Sequence, residues 1–163
     1  MYLIVVTVCP IVRFINSRSV GLYNHDTSTS VNSKKYCEMI GQFVIPSLAD
    51  DNAFQFDLMQ DGASIHTSEY TINYLTENKV KLLPNWPAYS PDINPIENVW
   101  AMLKAALKKK YRVEGLPKDN FLFYNDACFF FHEICNRTLN SLVSSMTDRL
   151  KQVKKLKGER IKY

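Results

Sequence analysis

The chain has 163 residues, 46% of them hydrophobic and 22% charged, with five glycines, seven prolines and a formal net charge of +4. That length suits one domain around one core, since domains run to about 100–200 residues, and the composition excludes a fibrous, low-complexity or wholly disordered chain. Four cysteines (Cys9, Cys37, Cys128, Cys135) without a CxxC pair argue against a zinc knuckle or a dense disulfide scaffold and point to reduced, packed thiols in an intracellular protein.

Met1 to Val12 is apolar but carries no basic leader and has Pro10 inside the run. It is too short for a bilayer, which needs about 20 residues. Its β-branched residues Ile4, Val5, Val6, Thr7 and Val8 predict a buried strand. A loop through Gly21–Thr29 follows, then a helix capped by Asn32 or Ser33, with Tyr36, Ile40, Phe43 and Val44 on one stripe and Pro46 as its stop. Phe54–Gln60 alternates as a strand, which Asp61-Gly62 breaks. Thr67 or Ser68 caps a short helix to about Asn78, and Val80–Leu83 reads as another strand.

Pro84, Pro87, Pro91 and Pro95 stiffen the next loop, because each ring locks φ and restricts its predecessor. Asn94 as N-cap, Pro95 at the first helical position and Glu97 three residues beyond the cap open a helix that buries Ile96, Val99, Trp100, Leu103 and Leu107. Two further helices are predicted, at about 119–136 and 138–157. The second carries Leu139, Leu142, Val143, Met146, Leu150 and Val153 on one stripe. Strands alternating with helices and then a helical end predict an α/β or α+β layer fold. The expected organisation is a single domain over 1–163, with the sheet and acidic site in 1–110 and a basic helical end in 111–163.

Charge is uneven. Residues 1–103 hold six Lys/Arg against ten Asp/Glu, and residues 104–163 hold fourteen against six. A lysine-rich end is either a solvated helix face or a surface for polyanions, whose counterions clustered Lys and Arg displace. Two carboxylates stand where chemistry could use them. Asp61 follows a strand, and Glu97 lies in the first turn of a helix, 35 residues further on. Together they could hold a hard cation such as Mg²⁺. Taken singly, Asp61 suits a turn and Glu97 a capping box. His66 is a candidate further ligand or phosphate contact.

The blocks Gln60-Asp61-Gly62-Ala63-Ser64-Ile65-His66-Thr67-Ser68 and Trp86-Pro87-Ala88-Tyr89-Ser90-Pro91-Asp92-Ile93-Asn94-Pro95-Ile96-Glu97-Asn98-Val99-Trp100, with the weaker 142–150 and closing Lys162-Tyr163, closely resemble the catalytic domain of Tc/mariner transposases. These are DNA-cutting and DNA-joining enzymes of the ribonuclease-H-like superfamily. The resemblance implies an α/β fold with a mixed sheet flanked by helices, incomplete at its amino terminus and helical at its carboxyl end. It implies Mg²⁺ or Mn²⁺ as cofactor, with Asp61 and Glu97 as the second and third acids of the metal-binding trio. DNA and a second copy of the chain would be the partners, with no membrane, and the location would be nuclear. Lys104, Lys108 and His66 would contact DNA.

Two departures stand out. Asn85 lengthens the span between the acids by one residue relative to the family's common pattern. The first acid has no counterpart: the earliest acidic residue, Asp26, falls in a loop, and Asp57 lies four strand residues from Asp61, about 13 Å away. Helix-turn-helix domains that read transposon ends are also expected to be missing. The chain is therefore expected to be a poor nuclease by itself, its sheet having lost the middle strand. A domesticated, non-catalytic DNA-binding or interaction protein is the alternative.

Overall fold

A computed structural model describes residues 2–6, 14–15, 18–19, 31–46, 56–87 and 89–162. In chain order the elements are β1 (Tyr2–Val6), β2 (Phe14–Ile15), β3 (Arg18–Ser19), α1 (Ser33–Met39), β4 (Phe56–Gln60), α2 (Ser64–Thr67), α3 (Glu69–Glu77), β5 (Lys81–Leu82), α4 (Pro95–Glu114) and α5 (Asn120–Lys155). They fall into two compact units, Met1–Asn16 with Tyr23–Tyr89, and Ser17–Leu22 with Ser90–Tyr163. The division lies at 89/90, so α4 belongs with α5.

The first unit is built on a three-stranded sheet in the order β1-β4-β5. Both pairings are parallel, with Val6 opposite Gln60 and Leu58 opposite Leu82. Where a mixed sheet was expected, this three-stranded sheet is parallel, with β4 bonded on both sides, and β2 and β3 pair separately. On β4, Leu58 and Met59 are both buried although adjacent, as a central strand covered on both faces requires. Phe54 lies outside the described residues, as do Asp26, Cys9 and the 21–29 loop.

Helix α1 starts where Asn32 Oδ1 accepts the Lys35 N–H at 2.9 Å. It runs on into a π-helical turn over Ile40–Val44. The wider turn keeps Ile40 and Val44 fully buried and turns Phe43 outward to 38% exposure, where a regular helix would have kept all three on one stripe. Gly41 lies under the Tyr74 hydroxyl, which would have to swing aside for a Cβ. Tyr36, Cys37, Met39, Ile40 and Val44 pack on Leu58, Leu75 and Val80 to form the core of this unit. Ser68 caps α3 as expected, its hydroxyl accepting from Thr71 N. The preceding turn of helix, α2, was not expected from the sequence.

In the second unit, Asn94 caps α4 by accepting from Ile96 N, with Pro95 in the first turn. Ile96, Val99, Leu103 and Leu107 are buried. Trp100 meets Phe131 of α5 at 5.9 Å between ring centroids. The two expected carboxyl-terminal helices are one 36-residue helix. Nothing in Asn136-Arg137-Thr138 breaks it. The Thr138 hydroxyl donates back to Ile134 O at 2.7 Å, and Arg137 pairs with Glu133 one turn earlier at 2.9 Å. It ends where Lys157 and Gly158 take positive φ and Gly158 N–H returns to Val153 O at 2.9 Å. Among the described residues no helix is long and apolar enough to cross a membrane.

Candidate functional site

Asp61 directly follows the middle strand. Its Oδ1 accepts the Ala63 N–H at 3.0 Å, closing the turn that the Asp-Gly pair predicts. The same oxygen lies 2.7 Å from His66 Nδ1. Oδ2 has no partner among the described residues, and the side chain is 43% exposed. It lines a cleft of about 220 Å³ with Gln60, Thr67, Leu82, Asn85 and Trp86. Asn85 sits in that rim at φ 57°, a left-handed conformation that Asn tolerates better than most residues. Asn85 is thus accommodated in a turn.

His66 is placed differently from the sequence expectation of a DNA contact. Its ring is fully buried, 4.5 Å from the ring of Tyr36. Burial holds its pKa below the ordinary histidine value, against the opposing pull of Asp61. Tyr36 donates to Gln60 Oε1 at 2.9 Å, and Gln60 Nε2 donates to His66 O at 3.1 Å. His66, itself held by Tyr36 of α1 and Gln60 of β4, thereby braces the carboxylate. The sequence offers only weak signals for Tyr36 and Gln60, which read as core and strand residues.

Glu97 lies in the first turn of α4, exposed. The capping-box role is not used. Asn94 N–H donates instead to Ser90 O at 3.2 Å, and the Glu97 carboxylate has no partner among the described residues. What fixes this turn is Arg149, a residue that sequence reasoning missed. Only 1% exposed, it donates through Nε to Ser145 Oγ at 3.0 Å. Its two terminal nitrogens donate to Asp92 O at 3.3 Å and Asn98 Oδ1 at 2.7 Å. Asp92 Oδ2 in turn accepts the Ile161 N–H at 2.9 Å. The signal was there: Arg149 interrupts the apolar stripe of Leu142, Met146 and Val153.

Lys104 and Lys108 lie seven and eleven residues beyond Glu97, so the three share one face of α4. Both lysines are exposed and form no ion pair among the described residues. Lys110 differs, being tied to Asp126 at 2.7 Å and Glu114 at 3.6 Å. Asp61 and Glu97 belong to different units. Among the described residues no group of three His, Cys, Asp or Glu side chains comes together as a metal site. Each acid still presents a hard oxygen donor of the kind Mg²⁺ or Mn²⁺ takes.

A family model described as DDE superfamily endonuclease matches residues 9–116. The Tc3 transposable-element transposase of Caenorhabditis elegans is 36% identical over 83% of this chain and 40% of its own length. The chain thus spans about 40% of that relative. The crystal structure of the Mos1 mariner transposase catalytic domain matches with a TM-score of 0.63 at 15% identity, over 93% of this chain and 74% of that one. The Mos1 catalytic domain solved with raltegravir and Mn matches with a TM-score of 0.51 at 15% identity, over 83% and 74%. The fold is accordingly that of the Mos1 transposase catalytic domain. Taken with the Asp61 and Glu97 blocks, these matches place the chain in the DDE superfamily endonuclease family, among catalytic domains of the Tc/mariner transposase type.

Proposed function

We propose that this chain supplies the catalytic-domain part of a metal-dependent DNA transposase, which hydrolyses a phosphodiester at a transposon end and joins the freed 3′-hydroxyl to target DNA. In this reading Asp61 and Glu97 hold a divalent cation between them. The observation that carries it is Asp61 itself: it ends the middle strand, one oxygen is fixed and the other has no partner beside an open cleft. The similarity to a Mos1 domain solved with Mn supports Mg²⁺ or Mn²⁺ as the ion. When bound, the cation would stabilise charge on the attacking and leaving oxygens of the phosphate.

The protein's own work is positioning. Asp61 and Glu97 offer oxygen donors, while Lys104 and Lys108 hold flanking backbone phosphates without reading bases. We also propose that strand transfer by this stretch of chain alone is weak, since β1, the neighbour of β4, is Tyr-Leu-Ile-Val-Val and carries no carboxylate to complete the trio. The reading implies work on nuclear DNA.

The test is nicking of supercoiled plasmid in Mn²⁺ or Mg²⁺, comparing the wild type with Asp61→Ala and Glu97→Ala at equal protein and equal DNA affinity. Metal-dependent nicking abolished in both variants supports the reading. Nicking that survives both substitutions, or needs no metal, overturns it.

A further inference from the structure

His66 is the one described residue with a buried side-chain polar atom, Nε2, that has no hydrogen-bond partner. An ionised carboxylate only accepts hydrogen bonds, so the 2.7 Å contact to Asp61 Oδ1 requires the proton on Nδ1. That leaves the Nε2 lone pair facing the interior unsatisfied, which is unfavourable. A leucine or phenylalanine would fill this position without that penalty. The imidazole is therefore explained by what Nδ1 does, not by packing. It is not a DNA contact, because the ring is fully buried. No three-residue metal cluster includes it among the described residues.

We propose that His66 is a positioning residue for Asp61, an inference that rests on the reading of Asp61 as a cation ligand. Two donors, Ala63 N–H and His66 Nδ1–H, converge on Oδ1 and fix the carboxylate plane. Oδ2 is then held out for the cation without having to stop rotating when the cation arrives. The clamp is itself clamped. The Tyr36 ring lies against the imidazole, the Tyr36 hydroxyl bonds Gln60, and Gln60 bonds the His66 carbonyl. Helix α1 thereby sets the angle of a carboxylate at the end of β4, in the way outer-shell partners orient the ligands of metal sites.

The experiment uses the full chain and Mn²⁺ alone, with free Mn²⁺ read by electron paramagnetic resonance and folding checked by thermal melts. The variants are His66→Leu, which removes the donor, His66→Asn, whose amide nitrogen falls near the place of Nδ1, and Asp61→Asn as reference. His66→Leu is expected to weaken Mn²⁺ about 10–100-fold, and His66→Asn to stay within about threefold of wild type. Leucine binding as tightly as wild type, or asparagine binding as poorly as leucine, overturns the proposal. A ring ¹⁵N spectrum of the metal-free wild type is an independent test: Nδ1 protonated and Nε2 bare supports the proposal, and a proton on Nε2 overturns it. A wild type that binds no Mn²⁺ sinks the functional reading instead, and the ring spectrum still decides whether His66 holds Asp61.

Discussion

Replacing Arg149 by Met tests how the second unit holds its acid. Methionine keeps the length and apolar stem of the side chain and deletes the guanidinium. The bonds to Ser145 at 3.0 Å and Asn98 at 2.7 Å, both well formed, and the long one to Asp92 O at 3.3 Å go with it. Bonds involving a charged group contribute about 1.5–3 kcal/mol each, so the two good ones amount to roughly 3–6 kcal/mol. Against this, methionine need not desolvate a cation, which in other buried charge sites offsets several kcal/mol. Ser145, Asn98 and Asp92 are partly exposed, so water reaches their freed acceptors. With that offset at about 2 kcal/mol, the balance is a loss of roughly 1–4 kcal/mol. Urea unfolding followed by circular dichroism at 222 nm reads it, since α4 and α5 supply most of the helix. Arg149→Lys should fall between, because an ammonium cannot serve three acceptors spread around a planar fork. A loss under about 0.5 kcal/mol for Arg149→Met would refute the claim that this side chain staples the 92–98 segment.

Two further outcomes are expected. Lys110 and the Tyr111 hydroxyl donate to Asp126 at 2.7 and 2.9 Å, and these bonds hold its carboxyl below the ordinary value of 3.8. A depressed carboxylate stabilises the fold at pH values above its unfolded pKa and loses that contribution as pH falls through the folded one. Urea midpoints measured from pH 5 down to pH 2 should therefore fall less steeply for Asp126→Asn than for wild type, and parallel curves would contradict the assignment. The double variant Lys104→Ala/Lys108→Ala should weaken DNA binding alike for all sequences and reduce the slope of log K against log salt by roughly two, about 0.9 for each phosphate no longer neutralised. An unchanged slope in fluorescence anisotropy titrations would remove both lysines from the interface.

Local chemistry was the most legible part of the sequence. Asn94-Pro95 opening a helix, Ser68 capping another and the strand before Asp61 all depend on neighbours in the chain, and each stands where it was expected. Tertiary contacts were less legible. The π-helical turn at 40–44 turns Phe43 off the apolar stripe, which no local pattern encodes. The helix break expected near 137 was a misreading of polar residues that bond within the helix instead of ending it. Within the site, Asp61 and Glu97 were legible from their motif blocks. The supports were less so: His66 stood out but its role as a buried partner of Asp61 did not, and Arg149, though it breaks an apolar stripe, acts through Asn98, 51 residues away. Histidine looked like a surface ligand because its burial depends on Tyr36, from a different helix.

The central claim is that Asp61 and Glu97 share one divalent cation. Crystals of the chain soaked in Mn²⁺ and measured at the manganese absorption edge address it directly. The account predicts one anomalous peak about 2.1 Å from a carboxylate oxygen of each residue. Manganese bound to neither, or the two carboxylates too far apart to reach a common ion, would contradict it.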